Sequence, residues 1–338
     1  MASDALTATC DCIVDYNDKL GISSYGKQIL IALQQDPFPE FYKSVILASP
    51  SEPLLFVETG NNHITAKLTQ FKEKCLAIIL KMVLYDDYYA KPLEEQHTTL
   101  IHLLQNLIPD VIEATLKLTR NQHLQKLMEH ECLQTLSTAV LKIISASCRK
   151  AELYKFYSQN RATICVDIGF SLMRTFKAEI LEMEDNPREF VQLCLDTCDR
   201  QKIPHVKPQS ASVIEKLCDK IDGYVDTVGQ LCLEMIDYAF TGKGDPSKYE
   251  ILGKYYDDCL FLQTASQTDF IDTSIIVLTF LSYMVPKRPK IADKFVLTLN
   301  KYTKDIIAMD HPVIRVRLSC FLGYYLDILY KDSKEQFI

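Results

Sequence analysis

Apolar and polar positions along this chain recur with the period of an α-helix over most of its length. In "MDHPVIRVRLSCFLGYYLDIL" (309–329) apolar residues return every three to four positions. That spacing predicts a helix over 311–330, opened by the turn residues Asp310-His311-Pro312. The same reading predicts helices near 3–19, 26–34, 39–48, 66–84, 94–106, 109–119, 122–147, 160–182, 187–199, 208–221, 224–240, 248–263, 269–284 and 290–308. Breaker residues stand in the joints: Asp36-Pro37, Asp185-Asn186-Pro187, Gly242-Lys243-Gly244-Asp245-Pro246 and Pro286-Lys287-Arg288-Pro289. Outside Ser49 to Asn62, no segment carries the period-two alternation of a half-buried strand. The longest irregular stretch, Ser49 to Asn62, holds Pro50, Pro53 and Gly60 and reads as a flexible insert.

Long helices joined by brief turns stack antiparallel, as a bundle or as a solenoid. "FLSYMV" (280–285) and "FLGYYL" (321–326) align 41 residues apart, and both close a helix that follows a polar turn. That period suits HEAT-type helix pairs. The expected architecture is an all-α, HEAT-type α-solenoid, a right-handed superhelix of about seven or eight antiparallel pairs. Its organisation is expected as N-terminal repeats over 1–48 that cap the array, a loop over 49–65, and a continuous array over 66–338. Asp4, Asp11, Asp15 and Asp18 give helix 3–19 the polar face such a cap needs.

Two arginines stand in the first turns of the apolar helix 311–330. Arg317 shares an arc with Val313, Cys320 and Tyr324, whereas Arg315 lies opposite, beside Ser319. A cation on a buried seam needs a carboxylate or carbonyl partner. Asp310, Asp269 and Asp272 are the candidates, and the expected arrangement is a ladder between repeats. A direct role in binding a partner is the alternative for both arginines. The far side of this helix is apolar enough to be an association surface, covered by a further chain or further sequence.

Composition narrows the function classes. Of the 338 residues 48% are hydrophobic, enough for a large core, and ten glycines with no tryptophan favour helices. The net charge of −7 argues against non-specific nucleic-acid binding and suits basic partners. The longest apolar run, Ile275 to Val285, is too short to span a bilayer. Twelve cysteines are present, and Cys75, Cys132, Cys165, Cys218, Cys232 and Cys320 fall inside apolar helical patterns, where they act as small buried hydrophobes. With no N-terminal signal sequence, a reducing cytoplasmic or nuclear setting is expected.

Candidate chemistry is sparse. Cys10/Cys12 and Cys194/Cys198 are close pairs, but neither is C-x-x-C and no histidine pair has zinc spacing, so no metal or other cofactor is expected. "HECLQ" (130–134) has Gln134 where a zinc protease motif needs histidine. "GKGDPSK" (242–248) lacks the phosphate-cradle spacing and reads as an inter-helix loop. No G-x-S-x-G elbow occurs. The carboxylate pairs Asp86-Asp87 and Asp257-Asp258 sit in turns. No catalytic constellation emerges, and an enzyme is not expected. "VPKRPK" (285–290) reads as a turn bracketed by prolines. The acidic joint "EILEMEDN" (179–186) offers Glu182, Glu184 and Asp185 to a basic partner. Together with Arg315 and Arg317, these form the candidate partner-binding set. Paired tyrosines, Tyr88-Tyr89, Tyr255-Tyr256 and Tyr324-Tyr325, suit grooves where a ring is buried and its hydroxyl wet.

Several of these segments are similar to one family. "EDNPREFVQLCLDTCDRQ" (184–201) resembles a helix of the large-importin branch of the importin-β superfamily (karyopherins), which opens with an acidic residue, Asn or Asp before Pro, and an aromatic. "ASVIEKLCDKIDGYVDTV" (211–228), "LSYMVPKRPKIADKFV" (281–296) and "HPVIRVRLSCFLGYYLDIL" (311–329) resemble the helices that follow, so the likeness covers about 160–330 in order. The resemblance implies a HEAT solenoid and nuclear transport, in cytoplasm and nucleus. The implied partners are protein cargo, the GTPase Ran and phenylalanine-glycine nucleoporins. Family members are far longer, and no Ran-binding signature precedes residue 160, so the chain is expected to be a fragment, a piece of a split receptor, or a relative kept for another interaction. A non-transport HEAT scaffold that organises a larger assembly is the alternative function.

Overall fold

The computed structural model describes residues 75–77, 79–80, 83–84, 105–113, 115–116, 131–175, 177–196, 206–242 and 244–332. The expected cap over 1–48, the loop over 49–65, Cys10, Cys12, Asp86-Asp87 and Tyr88-Tyr89 lie outside the described residues. Among the described residues the chain is all helical and no strand occurs. It divides into two compact units, Met1–Phe156 and Tyr157–Ile338.

In the first unit the apolar periodicity becomes burial. Cys75, Leu76, Ile79 and Val83 are buried, as are Leu107, Ile108, Val111 and Ile112. Helix α1 (Glu131–Ser147) is buried around most of its circumference: Leu136, Val140, Leu141, Ile143 and Ile144 are withdrawn from solvent, and so are Ser137, Thr138 and Ser145. Hydroxyls that enter these faces return their hydrogen bonds to the preceding turn: Thr115 Oγ1 donates to the Val111 carbonyl at 2.8 Å and Ser147 Oγ to that of Ile143 at 2.7 Å.

The boundary between the units falls inside α2 (Tyr154–Ala162). The expected helix over 160–182 does not continue unbroken. After α2 the backbone widens into a π-helical segment, Thr163–Phe170, then a 3₁₀ turn, Ser171–Met173, and stops at Arg174 with ψ 150°. Helix α3 (Lys177–Asp185) starts afresh. The break has a tertiary cause. The Thr175 N–H donates to Asp269 Oδ1 at 3.2 Å and its hydroxyl to Asp272 Oδ2 at 2.7 Å, so bonds to a distant helix replace the local ladder.

Then follow α4 (Pro187–Asp196), α5 (Val206–Lys220) and α6 (Tyr224–Phe240). Pro187 opens α4 with its fixed φ, and Gly223 at φ 69° turns α5 into α6. The expected helix over 248–263 is two: α7 (Glu250–Tyr256) and α8 (Leu260–Thr264). Gln263 Nε2 donates to the carbonyls of Tyr256 and Asp257 at 3.0 and 3.1 Å, which closes the end of α7. The break rotates Phe261 into an edge-to-face cluster with Phe170 and Phe270, at centroid distances of 5.8 and 5.9 Å.

Helix α9 (Gln267–Phe280) opens with a capping box: Asp269 N–H donates to Ser266 Oγ at 3.1 Å, and Ser266 N–H to Asp269 Oδ2 at 2.9 Å. The chain ends in α10 (Pro289–Ala308) and α11 (Pro312–Asp332). The second unit arranges these in two rows. Helices α5, α9 and α11 pack successively in one, and α6 packs against α10 in the other, with α6 also seated on α9. Helix α9 is thus covered on several sides and buries even Asp272, Thr273 and Ser274. Helices α3 and α4 pack against α11, far from them in sequence. Phe190 of α4 and Val313 of α11 meet there, with Ile180, Met183, Val316 and Cys320 around them.

Candidate functional site

One polar arrangement in the second unit centres on the buried carboxylate of Asp272. Its position on α9 is fixed from the N-terminus by the capping box, which sets the helix phase. The residue is fully buried. Its Oδ2 accepts hydrogen bonds from Arg317 of α11, from Lys207 Nζ of α5 at 3.3 Å and from the Thr175 hydroxyl. Burial pushes the carboxyl pKa up, but the charges of Arg317 and Lys207, with hydrogen bonds from Arg317 and Thr175, outweigh it and hold the group at about 2. One carboxylate therefore ties three helices of one row. Arg317, 11% exposed, also lies over the Phe190 ring at 6.0 Å, so the node reaches α4. Held by donors from three segments, the Asp272 carboxylate fastens these helices together.

Of the three carboxylates expected to serve the arginines, the structure assigns each a place. Asp272 takes Arg317. Asp310 takes Arg315 at 3.5 Å, a pair on the surface, with Arg315 47% exposed. Asp269 takes neither: it closes the capping box and faces Thr175. Arg315 lies beside Ser319 on the exposed flank of α11, as the helical phase predicts, and the Ser319 hydroxyl donates to its carbonyl at 2.9 Å.

Glu184 and Asp185 are exposed at the end of α3, where Asn186 and Pro187 start α4. The side chain of Glu182 lies outside the described residues. The acidic joint and the Arg317 node are therefore not one site: Glu184 and Asp185 stand in solvent, while Arg317 is turned inward. Cys75, Cys165, Cys218 and Cys232 are buried as apolar positions and Cys320 is half-buried. Burial pushes the Cys165 thiol up to about 12 and those of Cys218 and Cys232 well above their ordinary value. The side chains of Cys132, Cys194 and Cys198 lie outside the described residues. Among the described residues no group of three metal-ligating side chains occurs, and no helix is long and apolar enough to cross a membrane. Of "GKGDPSK", Asp245 to Lys248 lie between α6 and α7, and of "VPKRPK", Val285–Lys287 form a 3₁₀ turn while Pro289 and Lys290 begin α10.

Two further polar centres escaped the sequence reading. Asp237 of α6 accepts from the Tyr302 hydroxyl and from Lys301 Nζ at 2.8 Å, both of α10, and from the Tyr249 hydroxyl at 2.8 Å. Glu234, one turn earlier, caps α7 by accepting the N–H groups of Ile251 and Leu252 at 2.9 and 2.8 Å. Neither carries a local mark, since both lie on a partly polar face. Lys207 did carry one. It shares the stripe of Ala211, Ile214 and Cys218, all buried, and is the same anomaly as Arg317: a cation on the apolar side of a helix.

No family model, curated protein or solved structure matches the chain. Fold and site together define a class: an all-helical protein whose buried charges cross-link helices.

Proposed function

We propose that the chain is a non-catalytic binding protein, a HEAT-type solenoid of about seven or eight helix pairs that works as a nuclear-transport-receptor-like adaptor of the importin/exportin kind. The observation that carries this reading is the ladder Lys207–Asp272–Arg317. Each member sits in the first two turns of its helix, and each helix is the next in one row. A repeat that cannot bury its own flank must be joined to its neighbour side by side, and a cross-tie at a recurring place supports such stacking. The partners under this reading are protein cargo, Ran and phenylalanine-glycine nucleoporins, met in cytoplasm and nucleus, with a further chain at the α11 end.

The experiment is a pull-down with immobilised protein, using Ran loaded with GTP or with GDP and phenylalanine-glycine repeat peptides. The expected result is retention of the peptides and of the GTP form of Ran. Silence from both removes the transport reading. One observation favours the second reading, a non-transport scaffold: α3 and α4 pack on α11, which occupies a flank that an open cargo-wrapping array leaves bare. A scaffold predicts a stable larger assembly by light scattering where the transport ligands fail.

A further inference from the structure

Helix α10 carries two stripes on opposite sides. The inner one, Ile291, Phe295, Leu299, Tyr302 and Ile306, is buried against the rest of the unit. The outer one runs Lys290, Lys294, Leu297, Lys301, Lys304, Ala308, spaced alternately four and three residues apart, and every member is exposed. At 1.5 Å per residue the four lysines span about 21 Å. Leu297, in the middle, is 70% exposed, the most exposed large hydrophobic residue among the described ones. The protein as a whole is acidic, at −7, so a row of four cations on one helix runs against its overall charge.

We propose that this outer face of α10 is a docking surface for an acidic amphipathic helix of a partner protein. The occupant lays its acidic residues along the lysines and an apolar residue on Leu297. Charge complementarity argues for it. Lys301 reaches Asp237 at 2.8 Å and Lys294 reaches the Gln230 side chain at 3.1 Å, but Lys290 and Lys304 pair with no carboxylate among the described residues. The four–three spacing is that of a seam between two helices, not of a groove for an extended strand. Asp293 and Asp305 are exposed on the margins of the stripe. They confine negative charge to its centre, which a narrow acidic helix satisfies and a polyphosphate backbone does not. Leu297 adds an apolar anchor that a nucleic-acid surface does not need. The surface is separate from the Asp272 node and does not depend on the transport reading.

The test is fluorescence anisotropy of a labelled acidic peptide with Glu at helical spacing around Leu and Ile. A scrambled peptide of the same composition, oligouridylate and phosphatidylserine vesicles are compared. The expected result is saturable binding of the amphipathic peptide, weakened by salt and weakened about tenfold or more by Leu297→Asp and by the pair Lys290→Glu with Lys304→Glu. All three positions are exposed, so the melting temperature is expected to hold, and Lys290→Gln with Lys304→Gln gives the same direction with less perturbation. No saturable binding, equal binding of the scrambled peptide, indifference to these variants, or tighter binding of oligouridylate or vesicles overturns the proposal.

Discussion

Arg317 of α11 donates a hydrogen bond to Asp272 of α9, and both side chains are withdrawn from solvent, at 11% and 0% exposure. Lys207 shares the same carboxylate oxygen, so one anion holds two cations that arrive from either side. Breaking such a node by removing the anion leaves two charges without their partner. Asp272→Asn is expected to cost about 3–5 kcal/mol, read by urea denaturation. Arg315→Ala removes an exposed pair and is expected to change stability by about 0.5 kcal/mol or less. A D272N curve that overlays the parent's would sink the structural role of the node.

The node also sets an acid limit. Asp272 titrates at about 2 in the folded protein and near 3.9 in an unfolded chain. The folded value is the lower, so the carboxylate stabilises the fold fully above about pH 4 and loses that contribution as pH falls toward about 2. Melting temperatures across this window are expected to fall more steeply for the parent than for Asp272→Asn. Parallel slopes would place the acid sensitivity elsewhere.

Glu234 is a cap donated by one helix to another. Glu234→Ala leaves the Ile251 and Leu252 amides without their acceptor and is expected to cost about 1–2 kcal/mol. The local readout is hydrogen exchange. Those two amides should quicken while α9, anchored by its own capping box, keeps its protection. Uniform quickening would show instead that the cap is felt globally.

The buried thiols are expected to be inert. Burial raises Cys165, Cys218 and Cys232 far from thiolate formation and hides them from reagents. Iodoacetamide at neutral pH should leave these three unlabelled in the native protein and label them in urea, with mass spectrometry to locate the adducts. Native labelling of Cys165 would mean that the π-helical segment opens on the reaction timescale.

Packing α7 against the turn before it depends on a missing side chain. A Cβ on Gly253 would stand 2.7 Å from the Pro246 carbonyl oxygen, a backbone atom that cannot rotate away. Gly253→Ala is expected to destabilise by about 1–3 kcal/mol, seen as a lower melting temperature. An unchanged melt would show that the turn shifts without cost.

The amino-acid sequence alone determined the helices whose apolar period is unbroken and whose ends carry turn residues. Helix 224–240 is found as expected, and the expected helices over 290–308 and 311–330 begin and end within two residues of α10 and α11. It also marked Arg317 as a cation on an apolar arc and placed Asp272 among its candidate partners, because a buried charge demands a counter-charge. What only the tertiary structure decided are the features whose cause lies far away in the chain. The breaks at Arg174 and Cys259 have neither Gly nor Pro: distant contacts with α9 and its aromatic cluster set them. Lys207, Thr175, Tyr249 and Tyr302 acquire their partners across 65, 97, 12 and 65 residues. Local periodicity reports which face is buried, but which two faces meet is settled by packing.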